Sequence, residues 1–265
     1  MTDFTTLELA IDGPVARIWL NRPEMRNAID DVFIRELGEA FALAEAAPEV
    51  RAVVLGGRGP AFCAGANLNW MKQAAEYTYE QNLLDAAGLP RMLRTLEQSR
   101  LPVIARIQGD VYAGGMGLVS VCDVAITVDT AHFCLSEVKI GLIPATISPY
   151  VLRAMGPRAA QRYFLTAERF GAADAHRIGF VHEVVSADAL DAKVDEVVAS
   201  LLLAAPNAVG QAKRLWRDMV GQPITEELNH ETVVRIAALR ASDEGREGLR
   251  AFLGKRKPGW IKPGA

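Results

Sequence analysis

The sequence predicts an α/β core followed by a helical C-terminal region, and three observations carry that expectation. Short β-branched or apolar runs closed by turn residues recur through the first half of the chain: "RAVVLGG" at 51–57, "LPVIARIQG" at 101–109 and "VAITV" at 124–128. Runs that are apolar throughout, with no alternation, suit strands buried on both faces of a parallel sheet. Helical stretches separate them, and strand–helix–strand alternation is the pattern of a layered α/β fold. After Glu137 nearly every segment takes a helical period instead, and only "FVHEVV" (180–185) reads as a strand.

The elements follow in order. "LELAI" and "VARIWL" flank Asp12-Gly13-Pro14, a strong hairpin signal. Asp30 or Asp31 is placed to cap a helix over "VFIRELGEAFALAEAA", whose apolar spacing fits a period of 3.6. "YEQNLLDAAGLPRMLRTLEQ" is mainly helical. In the second half, "ISPYVLRAMG", "PRAAQRYFLTAERF", "AADAHRIG", "ADALDAKVDEVVASLLLAA", "NAVGQAKRLWRDMV", "ITEELNHETVVRIAALRA" and "DEGREGLRAFLGKR" all read as helices. The division expected is a core over residues 1–200 and a helical region over 201–265, with the last five residues a solvated, partly disordered tail.

The chain has 265 residues, half of them apolar, which is enough for a large core. A net charge of −3 offers no basic field for nucleic acid or an anionic membrane, so neither is expected as a partner. Cys63, Cys122 and Cys134 are widely spaced in apolar surroundings and read as buried thiols of a reducing compartment. The N-terminal stretch carries Asp3 and Glu8 where a signal peptide needs basic and then apolar residues, and no membrane-length apolar segment occurs. The expectation is a soluble, cytoplasmic protein.

Three places offer chemistry. "RGPAFCAGANLNWM" (58–71) follows a strand, and its small residues Ala64, Gly65 and Ala66 let backbone amides approach a ligand at a helix start near Asn67. An ordinary glycine-rich turn fits the same letters. "YAGGMG" (112–117) again opens an apolar helical run. It nearly matches a dinucleotide fingerprint, but the third glycine is Ser120 and the glycines lie about seven residues beyond the strand, so a nicotinamide site is excluded. Glu137 stands among Phe133, Cys134, Leu135, Val138 and Ile140, where desolvation raises a carboxyl pKa toward the range useful for proton transfer. Pairing with Lys139 is the structural alternative. His132, His176, His182 and His230 show no metal-ligand spacing, and no metal or separate cofactor is expected. Two amide turns and one desolvated carboxylate together make a machine for enolate chemistry. Paired amides hold an oxyanion, each contributing roughly 3 kcal/mol in the transition state, while the carboxyl moves a proton at the adjacent carbon.

"AFCAGANLNWM", "IQGDVYAGGMGLVSVCDVAI", "FCLSEVKIGLIP" and "EGREGLRAFLGKRKPGW", in that order, resemble the enoyl-CoA hydratase/isomerase (crotonase) family over nearly the whole chain. The resemblance implies a crotonase-like spiral of β-β-α turns followed by a helical C-terminal trimerisation region, with homotrimers or dimers of trimers. It implies an acyl-CoA thioester as substrate, with coenzyme A part of that substrate. The amides of Ala66 and Gly114 would hold the thioester oxygen, Ala64, Gly65, Asn67 and Leu68 would line the coenzyme A path, and Glu137 would be the acid/base. Lys255, Arg256 and Lys257 are candidates for the coenzyme A phosphates, with a solvated helix end as the alternative.

Three departures accompany the resemblance. The first glutamate of family hydratases falls on Gly117, Asn67 stands where Asp is frequent, and "IPATISPY" (143–150) replaces a glycine-rich stretch. The strings look closest to a bacterial branch hydrating 3-methylglutaconyl-CoA in leucine breakdown or isohexenylglutaconyl-CoA in terpene breakdown. In that reading Gly117 is substrate-binding, making room for a branched acyl group. Asn69 and Thr146 are candidates for orienting water, and Lys72, Arg91 and Arg94 for meeting a far carboxylate. The expectation is a hydratase for a branched or carboxylated 2-enoyl-CoA. A single-glutamate Δ3-Δ2 isomerase and a non-catalytic acyl-CoA-binding protein are the alternatives.

Overall fold

The structure, a computed structural model, describes residues 3–261. The expected hairpin opens it: β1 (Leu7–Asp12) pairs antiparallel with β2 (Val15–Leu20) in register Leu7↔Leu20 to Asp12↔Val15. A two-residue turn closes it, with Gly13 at φ +52°. Asp30 caps α1 (Asp31–Ala46), its carboxylate accepting the Phe33 N–H at 3.0 Å. The helix buries Phe33, Leu37, Ala40, Phe41 and Ala44, one face at helical spacing. Truncating Phe33 to Ala costs about 3–5 kcal/mol at such a site.

From here the chain repeats one unit: a strand, a second strand turned out of the first sheet, then helix. β3 (Ala52–Gly57) and β4 (Ala61–Cys63) lead to α2 (Leu68–Ala74), α3 (Tyr79–Ala86) and α4 (Gly88–Gln98). β5 (Val103–Ile107) and β6 (Asp110–Tyr112) lead to α5 (Gly114–Ser120). β7 (Val124–Val128) and β8 (His132–Cys134) lead to α6 (Ser148–Thr166). Stacking these units makes two sheets. Completed by β9 (Phe170–Gly171), α7 (Ala172–Arg177) and β10 (Glu183–Val185), the larger runs β1-β2-β3-β5-β7-β10 and the smaller β4-β6-β8-β9. Apart from the end pairs β1–β2 and β8–β9, all pairing is parallel. All six residues of β3 are buried, as an unbroken apolar run requires. This is the spiral of β-β-α turns that the resemblance implies.

The strands of the smaller sheet are three residues or fewer. Their apolar letters merge into the following turns, so no period-2 signal marks them. "FVHEVV" forms a strand only over its last three residues. The two helices expected over 148–166 run on as one with a kink, where Gly156 takes φ +76° before Pro157.

The helical region is α8 (Leu190–Leu203), α9 (Pro206–Met219), α10 (Glu226–Ala241) and α11 (Asp243–Leu253). α8 packs on β3, β5 and β7, and α9 is tied to the core by Lys213, whose ammonium donates to Leu101 O at 2.9 Å and to Asp123 at 2.7 Å. Among the described residues of α9 to α11, only Ala251 is buried. Ile224, Phe252 and Leu253 are 85%, 81% and 77% exposed. Trp260 ties the end of the chain back, its indole N–H donating to the Leu203 carbonyl at 3.1 Å. Most of the tail expected to be disordered, residues 262–265, lies outside the described residues. Among the described residues no helix is long and apolar enough to cross a membrane.

Candidate active site

The three places singled out in the sequence come together at one edge of the small sheet. Ala66 follows β4, Gly114 follows β6 and Glu137 follows β8. These strands are parallel neighbours in that order, paired Cys63↔Val111 and Tyr112↔Cys134. Adjacent strands lie about 4.8 Å apart, so Gly114 stands between Ala66 and Glu137 at the carboxyl ends of the strands. Ligands gather there in parallel sheets because successive loops converge.

Each loop is stitched to the next. Ile29 N–H donates to Gly65 O and Asn67 N–H donates to Ile29 O, both at 2.7 Å, a parallel bridge opposite Ala66. Such a bridge uses the groups flanking Ala66, so its own N–H faces the other way and finds no acceptor among the described residues. Gly65 has φ +88°, and a Cβ there would sit 2.9 Å from the Ala113 methyl, so the first amide turn closes on the second only with glycine. Ala113 itself takes φ +47°, ψ −116°, a strained conformation for a residue with a Cβ. It aims the Gly114 N–H out of the first turn of α5, where no intrahelical acceptor exists. The Ala113 N–H donates to Cys134 O at 2.9 Å, joining the second turn to the strand that delivers Glu137.

Glu137 opens a short 3-10 turn, Glu137–Ile140. Burial pushes its carboxyl pKa up, and only a hydrogen bond from its own backbone N–H works the other way. Its Oε2 is buried without a hydrogen-bond partner among the described residues. Lys139 does not pair with it; that side chain is exposed and forms no ion pair among the described residues. An orphaned buried carboxylate oxygen is costly and calls for an explanation.

Other expected residues divide. Ala64 N–H donates to Arg26 O at 3.0 Å, and Leu68 projects into solvent, 73% exposed. Asn67 is only 9% exposed, and its amide is taken up by the protein, donating to Asp30 at 3.2 Å and accepting from Asn69 N–H at 2.8 Å. It therefore builds the turn and does not line an open path. Thr146 is half-buried and Asn69 is exposed. Arg256 is held bidentate by Glu247 at 2.6 and 2.8 Å, which keeps that carboxyl low, at about 2. Lys255 and Lys257 form no ion pairs among the described residues.

Gly117 corrects an expectation. It was read as room for a branched acyl group, but that room is filled: a Cβ there would lie 2.4 Å from Ile147 Cγ2 and 3.2 Å from Leu93 Cδ1. Ile147 lies within "IPATISPY", so two apparently separate departures, a missing glutamate and a missing glycine-rich stretch, are the two sides of one contact. Sequence reading noted both and did not join them, because nothing in the letters places 117 against 147. The surroundings of Gly117 are thus aliphatic. Cys63 and Cys134 are buried beneath the turns, and burial pushes the Cys63 thiol to about 12, so it is inert. Among the described residues no three potential ligands cluster to hold a metal. Cavities of about 430 and 610 Å³ lie elsewhere, lined by other residues than Ala66, Gly114 and Glu137.

The enoyl-CoA hydratase/isomerase family model matches residues 10–263. The chain belongs to that family. It is 33% identical over 258 residues to the enoyl-CoA hydratase ACTT6 of Alternaria alternata, covering 96% of this chain and 83% of the relative. It is 31% identical over 245 residues to the mevalonyl-coenzyme A hydratase sidH of Aspergillus fumigatus, covering 91% and 89%. An enoyl-CoA hydratase structure from Shewanella pealeana superposes with a TM-score of 0.94 at 41% identity, over 97% of this chain and 96% of the other.

Proposed function

We propose that this member of the family is an enoyl-CoA hydratase that works with one carboxylate. The observation that carries the reading is the convergence of two unengaged amides and one orphaned carboxylate oxygen on three adjacent strand ends. The thioester oxygen sits between the N–H groups of Ala66 and Gly114. Glu137 takes a proton from water as the oxygen of that water bonds to the β-carbon. The π electrons move onto the thioester oxygen as an enolate, and Glu137 then returns the proton to the α-carbon. The hydroxyl on the β-carbon and the hydrogen on the α-carbon both come from one water, and the enzyme ends as it began. Thr146, half-buried, is the hydroxyl we assign to orienting that water.

A branched or carboxylated acyl group is the finer substrate assignment. It is supported by the relative named for mevalonyl-coenzyme A, a branched thioester. It is also supported by Arg91 and Arg94 on α4, neither of which forms an ion pair among the described residues. That helix borders the site, Leu89 and Leu93 standing 3.7 and 3.2 Å from where Cβ atoms of residues 114 and 117 would be. The branch does not lodge at Gly117. The apolar side chains left exposed on α10 and α11 support a homotrimer or a pair of trimers, with Lys255 and Lys257 meeting coenzyme A phosphates. One observation favours a second reading: with Ile147 in place of a second carboxylate, Glu137 alone suffices for a Δ3-Δ2 double-bond shift. Parallel assays with crotonyl-CoA, 3-methylglutaconyl-CoA and a 3-enoyl-CoA separate the two.

A further inference from the structure

Beyond the reacting groups, one polar cluster is buried beside them. Arg22 and Asp30 pair at 2.6 Å with side chains only 14% and 13% exposed. Asp30 also accepts from the Asn67 amide at 3.2 Å and from Phe33 N–H at 3.0 Å. Burial opposes ionisation of Asp30, yet the bonds from Arg22 and Phe33 outweigh it and hold the carboxyl below its ordinary range. Arg22 sends its other terminal nitrogen to Ala28 O at 2.5 Å, while its Nε is buried without a partner among the described residues.

Residues 26–30 run alongside 64–67 and grip that turn at three points: Arg26 O, Ile29 N–H and Ile29 O. Ala66 is the exposed residue at the centre of the grip. We infer that Arg22, Asp30 and Asn67 form a charge-balanced clamp that positions the Ala66 N–H toward the thioester oxygen. The clamp holds one cation, one carboxylate and one neutral amide. The amide must donate, because the Asp30 oxygen facing it only accepts. A second carboxylate at 67 loses that bond and sets two anions about 3 Å apart with one guanidinium between them. The carboxylate and the amide are not exchangeable: Asp30 Oδ2 accepts from Arg22 and Asn67 and Oδ1 accepts from the Phe33 N–H, so an amide at position 30 would turn its NH2 onto one of those donors. Misplacing a reacting contact by about 1 Å costs on the order of 100-fold in rate, so these are positioning residues with a catalytic readout.

This inference rests on the assignment of Ala66 as an oxyanion donor. It is tested in the full chain by binding dimethylaminocinnamoyl-CoA, whose absorbance shifts to the red when its carbonyl oxygen accepts hydrogen bonds, and by crotonyl-CoA turnover. N67D is expected to lose more than half of the red shift and to lower kcat about tenfold or more with KM moved less than threefold. D30N, which turns a donor onto Arg22 or the Phe33 N–H, is expected to lose both as N67D does. R22K, which keeps the charge and loses the fork, is expected to behave like N67D. If N67D does not fold, R22K and D30N decide. A full red shift and normal kcat in R22K, D30N or N67D overturns the clamp. Absence of a red shift in wild type removes its premise. Wild-type protein that shows the shift but hydrates nothing sinks the proposed function and leaves the clamp to the spectral comparison.

Discussion

Substituting Gly117 tests the packing beside Glu137. A Cβ at 117 lies 2.4 Å from Ile147 Cγ2 and 3.0 Å from Ile147 Cβ. Carbon atoms pack at about 3.5–4.0 Å, so Ile147 must retreat by about 1 Å. It is 1% exposed and has no solvent to retreat into. Overpacking of this kind costs about 1–3 kcal/mol. For a chain of this size each kcal/mol lowers the melting temperature by about 2–4 °C, so G117A is expected to melt about 2–12 °C below wild type. I147A alone leaves a cavity and costs about 2–5 kcal/mol. Together the added methyl refills part of that cavity, so G117A/I147A is less destabilised than the sum by about 0.5–3 kcal/mol. The same geometry predicts that G117E gains no crotonyl-CoA hydration, because a glutamate cannot enter while Ile147 remains; G117E/I147A gives it the space. Thermal melts followed by circular dichroism and enoyl thioester absorbance read both effects. A G117A protein melting within about 1 °C of wild type, or additive single and double variants, would refute the reasoning.

Glu137→Gln separates stability from function. A buried carboxyl with a raised pKa stabilises the native state only while protonated: that stability is fully present below the unfolded pKa near 4.3 and is lost as pH rises through the raised folded value. The Gln variant is therefore expected to melt above wild type at pH 8 and level with it near pH 4; equal melting at both contradicts the burial argument. V233D on α10, whose valine is 59% exposed in the single chain, is expected to shift light-scattering mass from trimer or hexamer to monomer. A trimer unchanged by the substitution removes α10 from the interface. K255A/K257A is expected to raise KM for crotonyl-CoA several-fold with kcat unchanged, and less so in high salt. No change in KM places the phosphates elsewhere.

Much of this fold was legible because its large sheet is written in buried apolar runs and its helices carry caps or periods, as with Asp30 before α1. The small sheet was not, since strands such as Ala61–Cys63 are too short to show alternation. The candidate site was legible in part: small residues before a helix marked the two turns and apolar flanks marked Glu137, while Ala66 and Gly114 were singled out by the family resemblance. Contacts across the spiral were not. Gly117 against Ile147, and Arg22 against Asp30 and Asn67, join positions whose nearness depends on how successive turns stack. Asn67 shows the consequence, since its letter suggested a lining residue and its burial makes it part of the frame.

The most direct test of the central claim follows the absorbance of a conjugated enoyl-CoA thioester with wild type and Glu137→Gln side by side. Falling absorbance with crotonyl-CoA or 3-methylglutaconyl-CoA, reduced on the order of 100-fold or more in the variant, is the predicted result. Rising absorbance with a 3-enoyl-CoA, and none lost with either 2-enoyl substrate, would contradict it and make the enzyme an isomerase.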